Sequence, residues 1–164
     1  SHAAGRLFDA FAAMQGIAPR RISYEGQGAI RLEAQARREK KWDGVIYPWR
    51  SSERSGVLYL DWSPLFCGET ISASPALSFH RSVAAAAAEM VEYGLEIRDC
   101  DTVILTGGVF QNRLLTGLTA AALEARGLKV FIPGLIPPND AGISIGQSYW
   151  AGLNFYISGV DYLF

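Results

Sequence analysis

The chain has 164 residues, of which 49% are apolar and 19% are charged, a composition typical of one globular domain. Its 15 basic and 16 acidic side chains leave a net charge of −1, without the basic surplus typical of nucleic-acid-binding proteins. No apolar run reaches the roughly 18 residues that a membrane span needs. We therefore expect neither a nucleic-acid partner nor a membrane partner.

Cysteine usage and the N-terminal sequence point to the cytoplasm. Cys67 and Cys100 lie far apart and form no CxxC pair, whereas a small secreted scaffold would carry more cysteines. The first residues lack the charged and then apolar segments of a signal peptide. We expect two half-buried, reduced thiols in a cytoplasmic protein.

The first half of the chain predicts helices and a hairpin. Residues 4–15 carry apolar side chains at helical spacing and end before Gly16, and a second helix is expected over residues 28–41, with cations in its last turn. Residues 45–49 and 57–62 predict two strands joined by a polar loop. Because a domain rarely begins inside its first helix, we expect further chain upstream.

The second half predicts an α/β unit. Residues 63–78 are expected to be mostly a connection, and Ser78 to cap a long helix. A short apolar run at 102–105 predicts a strand buried on both faces. A helix at 112–126, a strand at 130–132 and a helix from Ala141 follow. Strand, helix and strand at this spacing predict a right-handed parallel crossover.

The first candidate site is Gly107-Gly108, at the carboxyl end of the predicted strand and just before a helix. Glycines there let backbone N–H groups approach a phosphate closely, and open α/β sheets bind ligands at that edge. Asn112 would cap the helix or donate to a phosphate oxygen. Gly-Gly is also a common way for a chain to turn, and both interpretations stay open.

The second candidate is Asp140, which we expect at the same edge of the sheet. A carboxylate there is well placed to hold a metal beside a phosphate. The competing interpretation is that Asp140 or Asn139 is a helix N-cap, a common role for both residue types.

The third candidate is Asp9, three residues after Arg6 on the first helix. Asp9 either accepts from a ribose hydroxyl or forms a solvated ion pair with Arg6, worth a few tenths of a kcal/mol at most. Glu25, in the turn that follows, has the same two interpretations.

Other polar residues favour no further chemistry. His2 and His80 form no metal-binding pair, and His80 is interpreted as a capping or packing histidine. No Ser/His/Asp or Cys/His set supports covalent catalysis, so we assign no catalytic residue. The aromatic residues near the C-terminus lack interleaved basic residues and are expected in the core: Tyr149, Trp150, Phe155 and Tyr156.

Four segments together make the chain resemble one family. They are GRLFDA at 5–10, YEGQ at 24–27, GGVFQNRLL at 107–115 and PPNDAGI at 137–143. Their order and spacing are similar to the C-terminal region of the HypF carbamoyltransferases, from about residue 3 to about residue 152. Ala141 stands where that family often has glycine, and the tail after Gly152 has no match.

The resemblance implies an α/β fold: a lobe of the actin-like, sugar-kinase-like ATPase (ribonuclease H-like) class, with a mixed sheet flanked by helices. Residues 1–164 would be the C-terminal half of a TsaD-like nucleotide-binding domain, and thus a fragment of a larger enzyme. HypF proteins make carbamoyl-adenylate from carbamoyl phosphate and ATP. They pass the carbamoyl group to the C-terminal cysteine of HypE, in the synthesis of the cyanide ligand of nickel–iron hydrogenase.

The motif match implies a role for each candidate residue. Asp9, Glu25 and Gly26 would contact the nucleoside. Gly107, Gly108 and Asn112 would contact the phosphate or the carbamoyl-adenylate, and Asp140 would bind a divalent metal (iron, zinc or magnesium).

The family's metal-binding histidines would lie outside this chain, in a lobe that it lacks. The expected partners are therefore HypE and the N-terminal domains of the same enzyme, and the fragment alone should not turn over. The alternatives are an O-carbamoyltransferase or tRNA threonylcarbamoyl-transferase of the same fold, or a non-enzymatic nucleotide-binding domain. Glu25 and the FQN segment favour the HypF family.

Overall fold

The computed structural model describes residues 3–158, with side chains up to residue 155. The helices of this part are α1 Ala4–Met14, α2 Gln27–Arg38, α3 Ser63–Cys67, α4 Pro75–Ile97, α5 Arg113–Glu124 and α6 Ile143–Ser158. Its strands are β1 Arg50–Arg54, β2 Val57–Asp61, β3 Thr102–Ile104 and β4 Lys129–Phe131. Two short 3₁₀ helices, Gly108–Gln111 and Asp140–Gly142, precede α5 and α6.

The strands form two separate two-stranded sheets. β1 and β2 pair antiparallel, and β3 and β4 pair parallel, with Val103 opposite Val130. α5 connects β3 to β4, so the predicted strand–helix–strand unit with parallel strands is confirmed. The predicted α/β class is confirmed with it.

The main core lies between α1, α2 and α4. Phe11 stacks on Phe79 with ring centroids 4.2 Å apart, and Phe8 meets Phe79 edge-on at 5.0 Å. These rings and Leu32 are fully buried, each contributing about 1.5–3 kcal/mol by its transfer from water. The alanine run of α4 allows the helices to pack closely. A smaller cluster, which includes Leu105 and Leu123, lies beneath the parallel strands.

The predicted position of the first hairpin strand is wrong. The strand is Arg50–Arg54, and a two-residue turn at Ser55 and Gly56 replaces the expected loop. Both turn residues have positive φ, 53° and 75°, as hairpin turns that match the strand twist require. Residues 45–49 instead lie alongside α4, where the indole N–H of Trp49 donates to the carboxylate of Glu89 at 2.7 Å.

Two predicted helix boundaries are also wrong, for a shared reason. α2 ends at Arg38 because Glu39 leaves the helix, and its carboxylate accepts from the backbone N–H of Leu77 at 2.7 Å. That contact places a negative charge at the positive end of α4. α4 therefore begins at Pro75, with Ser74 as its N-cap residue, and Ser78 is a buried residue inside the helix. The expected connection before it contains α3. Cys67, the last residue of α3, and Cys100 are both exposed rather than half-buried as expected.

The predicted burial of the C-terminal elements is wrong. Ile104 is 64% exposed and Phe131 59% exposed, so neither parallel strand is buried on both faces. Tyr149, Trp150 and Phe155 are 70%, 68% and 57% exposed rather than core. The side chain of Tyr156 lies outside the described residues. The main contacts of α6 are with the 3₁₀ helix before it, so its aromatic residues remain accessible.

Within residues 3–158, no helix is both long enough and apolar enough to cross a membrane.

Candidate functional site

Two loops meet at the carboxyl ends of the parallel strands. One is the glycine loop, Gly107 and Gly108, and the other is the proline loop, residues 137–140. The Gly107 N–H donates to the Pro138 carbonyl oxygen at 2.6 Å, and a Cβ at Gly108 would lie 4.0 Å from Asn139. The glycine loop and the segment that carries Asp140 therefore share one rim of the sheet.

The chain makes this approach through an unusual backbone conformation. Gly107 has φ 103° and ψ 156°, a backbone region that residues other than glycine essentially never adopt. Thr106 supports the contact, since its hydroxyl donates to the same Pro138 carbonyl oxygen at 3.4 Å. A cavity of about 340 Å³ opens beside the two loops and is lined by Thr106, Asn139 and Ile143 among others.

Asn112 caps α5 from a buried position. Its Oδ1 accepts from the Leu115 N–H at 2.9 Å, and its Nδ2 donates to His80 Nε2 at 2.9 Å. The capping role, one of the two interpretations that the sequence offered, is thus present. One N–H of the amide group is not engaged by these two bonds.

His80 is the partner that sequence reasoning did not find. Its side chain is fully buried in α4, with Nδ1 2.7 Å from the Ala76 carbonyl oxygen. Burial lowers the pKa of His80, and the hydrogen bond to Ala76 opposes that effect. The packing interpretation of this histidine is confirmed. Nothing local in the sequence signals its contact with Asn112, because the two residues come from different elements.

Asp9 has an unusual environment for a carboxylate. Its Oδ1 is buried and has no hydrogen-bond partner in the structure. A Cβ at Gly28 of α2 would lie 2.9 Å from that oxygen, so any larger residue at position 28 would displace the carboxylate. Ion pairs within the described residues do not include Arg6 with Asp9. Gly28 is a second residue of this region that the sequence did not single out.

The turn before α2 contains the other two nucleoside candidates. Gly26 is the N-cap residue of α2 and has φ 73°, a left-handed conformation that glycine adopts readily. Glu25 is exposed. The turn is held by Gln27, whose side-chain oxygen accepts from the Ser23 N–H at 3.0 Å.

Asp140 is not needed as a cap. Asn139 fills that role, since its Oδ1 accepts from the Ala141 N–H at 3.2 Å, while Asp140 is exposed as the first residue of its 3₁₀ helix. An exposed carboxylate with oxygen donors suits a hard divalent cation. Across residues 3–158, no group of three histidine, cysteine or acidic side chains is arranged to hold a metal ion.

The structure thus joins some candidates directly and leaves others apart. The glycine loop and the segment of Asp140 are in contact, and α1, which carries Asp9, also contacts the 3₁₀ helix Gly108–Gln111. Asn112 is linked to α1 through His80, whose ring lies 5.3 Å from that of Phe8. Glu25 and Gly26 lie in the separate turn before α2.

Solved structures identify the class of fold. A crystal structure of full-length HypF in the phosphate- and nucleotide-bound form matches 93% of this chain with a TM-score of 0.77 and 25% sequence identity. The structure of HypF from T. kodakarensis matches 96% with a TM-score of 0.75 and 29% identity. The chain covers 20% of each of these proteins. The chain therefore has the α/β fold of the matching part of these HypF structures.

Sequence comparison identifies the family. Residues 1–147 match the family model of the carbamoyltransferase Kae1-like domain, second subdomain. The carbamoyltransferase HypF of Rhodobacter capsulatus is 38% identical over 151 residues, and that of Rhizobium leguminosarum bv. viciae is 37% identical over 153 residues. Each alignment covers 90% of this chain and 19% of the relative. The chain belongs to the HypF family, as the second subdomain of its Kae1-like domain, and spans about a fifth of these relatives' length.

Proposed function

We propose that this chain forms one wall of the nucleotide site of a HypF-type carbamoyltransferase in the cytoplasm. The contact between the glycine loop and the proline loop carries the proposal, because it brings the two glycines and the segment that contains Asp140 to one rim of the sheet. The nucleotide- and phosphate-bound state of a full-length HypF that shares this fold supports it.

The proposed ligand is carbamoyl-adenylate, made from carbamoyl phosphate and ATP. The buried, unpartnered Oδ1 of Asp9 is an acceptor suited to a ribose hydroxyl. The left-handed backbone at Gly26 lets a nucleoside lie against the chain, and the exposed Glu25 adds an acceptor. Gly107 and Gly108 would lie against the phosphate, with the position of the loop set by Asn112.

The reaction proposed for the whole enzyme is an acyl transfer. The thiolate sulfur of the C-terminal cysteine of a HypE-type acceptor attacks the carbamoyl carbon. A C–S bond forms, the C–O bond to the adenylate phosphate breaks, and AMP leaves with the electron pair. This chain contributes positioning and charge stabilisation and no nucleophile.

Asp140 is proposed as one ligand of a divalent metal (iron, zinc or magnesium), with histidines from outside this chain as further ligands. Such a metal would neutralise the charge on phosphate oxygens. The exposed carboxylate, free of the capping role taken by Asn139, supports the assignment. Because one wall holds a single proposed ligand, we infer that the chain alone does not catalyse transfer.

The test replaces Asp140 in the full-length carbamoyltransferase. We expect Asp140→Asn, which removes the charge and keeps the shape, to reduce carbamoyl transfer to the acceptor cysteine by about 100-fold or more and to weaken metal binding. Transfer is followed by mass spectrometry of the acceptor, and bound metal by elemental analysis.

The control is Asp99→Asn, at an exposed aspartate that precedes the amino end of β3. It removes the same charge at the opposite end of the strand from the glycine loop, and we expect unchanged transfer. Normal activity of the Asp140→Asn enzyme would refute the metal-ligand role.

A further inference from the structure

The side chain of His80 lies between Phe8, the neighbour of Asp9 in the chain, and Asn112 of the proposed site, and it has no role in the proposed function. It is fully buried. Its ring meets Phe8 edge-on, with centroids 5.3 Å apart and an interplanar angle of 77°, and Phe8 immediately precedes Asp9 in α1. On its other side it contacts Asn112, which ends the 3₁₀ helix that begins at Gly108.

The hydrogen bonds around His80 fix the protonation of its ring. The Ala76 carbonyl can only accept, so Nδ1, 2.7 Å away, carries the proton. The Leu115 N–H can only donate, so it fixes the Asn112 amide with Oδ1 towards the backbone and Nδ2 towards His80. The Nε2 of His80 must then accept, and the ring is neutral.

We infer that His80 is a positioning residue for the nucleotide site, because its neutral ring holds Asn112 and Phe8 and so keeps the glycine loop and α1 in a fixed relation. The inference rests on the function proposed above. Thr116 supports the same loop from the other side, since its hydroxyl oxygen lies 2.9 Å from the carbonyl oxygens of both Phe110 and Asn112 and shares its one proton between them.

Protonation of Nε2 would break this arrangement. An imidazolium N–H would face the NH₂ group of Asn112, and two donors without an acceptor cannot form the bond. The charges that act on the ring come from the end of α2: Glu33 and Glu39 favour the imidazolium and Arg37 opposes it. Asp9 in α1 and Arg113 in α5 adjoin the contacting residues Phe8 and Asn112.

The experiment compares two variants of the full-length carbamoyltransferase. His80→Phe keeps the ring and its packing but lacks the acceptor for Asn112. His80→Gln offers an amide oxygen to Asn112 and does not titrate. ATP affinity is measured by calorimetry from pH 5.5 to pH 8.0, with thermal unfolding of each variant to check that it is folded.

We expect His80→Phe to weaken ATP binding about 10–100-fold at pH 8, by analogy with the loss of residues that orient metal ligands. His80→Gln should restore most of the affinity. Wild-type affinity should fall more steeply than that of His80→Gln only towards the acid end of this range, because burial lowers the pKa of His80 and only the wild type can gain a proton at this position. The His80→Gln profile also reports any titration of the nucleotide itself.

The results separate a failure of the proposed function from a failure of the positioning role of His80. If wild-type enzyme does not bind ATP, the proposed function fails and the inference fails with it. If wild type binds and His80→Phe binds equally well, the inference alone is wrong. Should His80→Phe not fold, His80→Leu takes its place, since it also fills the buried position without an acceptor for Asn112. ATP affinity of His80→Leu equal to that of wild type would overturn the inference, and a weakened affinity that His80→Gln restores would support it.

Discussion

At the scale of single residues, the site depends on a few backbone and side-chain conformations that specific hydrogen bonds hold in place. Gly107 is held at φ 103° by the bond from its N–H to Pro138. Asp43, elsewhere in the chain, is also held by hydrogen bonds: its carboxylate accepts from the backbone N–H of Ala73 at 2.6 Å and from the hydroxyl of Ser72 at 2.9 Å. These bonds hold the pKa of Asp43 well below its usual range although desolvation acts in the opposite direction.

The two residues of the glycine loop are expected to respond differently to substitution. Gly107→Ala should lower the free energy of unfolding by roughly 1–3 kcal/mol, because alanine is strained in that backbone conformation. Gly108→Ala is the matched control, since its new Cβ would make only ordinary contact, 4.0 Å from Asn139. Urea unfolding of this chain measures both, and equal effects of the two substitutions would contradict the assigned role of Gly107.

At the scale of elements, the packing of α1 on α2 decides the surroundings of Asp9. Gly28 in α2 is buried, and it faces both the carboxylate of Asp9 and the side chain of Ala12 in α1. A larger residue at position 28 would have to move the Asp9 carboxylate. The same helix pair is joined to α4 by Glu39, so these elements form one packed unit around the phenylalanine core.

Two helical glycines provide a test of this packing. Gly117→Ala in α5 should raise the free energy of unfolding by about 0.5–1 kcal/mol, because nothing lies within 4 Å of its new Cβ and alanine favours a helix. Gly28→Ala should lose that gain or lower stability, since its Cβ would lie 2.9 Å from Asp9 Oδ1 and 3.4 Å from Ala12 Cβ. Chemical denaturation checks both, and equal stabilisation would show that Asp9 is not confined by Gly28.

At the scale of the whole molecule, the described chain combines a packed core with a large accessible apolar surface. The core joins α1, α2, α4 and the start of α5. The exposed faces of the parallel strands and of α6 carry Ile104, Phe131, Tyr149 and Trp150. The cavity beside the glycine loop lies next to this accessible part and includes Ile143 of α6 in its lining.

This geometry predicts that the chain alone binds ATP or ADP only weakly. Small-molecule sites usually bury roughly 70–90% of their ligand, and one wall of a cleft leaves more of the nucleotide in water. Calorimetry on the 164-residue chain should give a Kd well above 1 µM, and full-length enzyme provides the comparison. A sub-micromolar Kd for the chain alone would contradict the one-wall arrangement.

The sequence by itself determined the α/β class, the parallel strand pair joined by a helix and the family. These follow from local patterns: apolar periodicity, glycines that end elements and four short motifs in order. It also indicated that the glycine and proline loops belong to one edge, because the carboxyl ends of parallel strands meet there.

Only the tertiary structure decided how the elements end and what their side chains contact. Helix α2 ends at Arg38 because the carboxylate of Glu39 accepts from the first turn of α4, which begins 36 positions further along the chain at Pro75. Residues 45–49 lie alongside α4 rather than pair as a strand. His80 reaches Asn112, and Gly28 meets Asp9, through contacts between residues that are distant in sequence. Local patterns carry no record of such contacts, since they depend on how already formed helices pack.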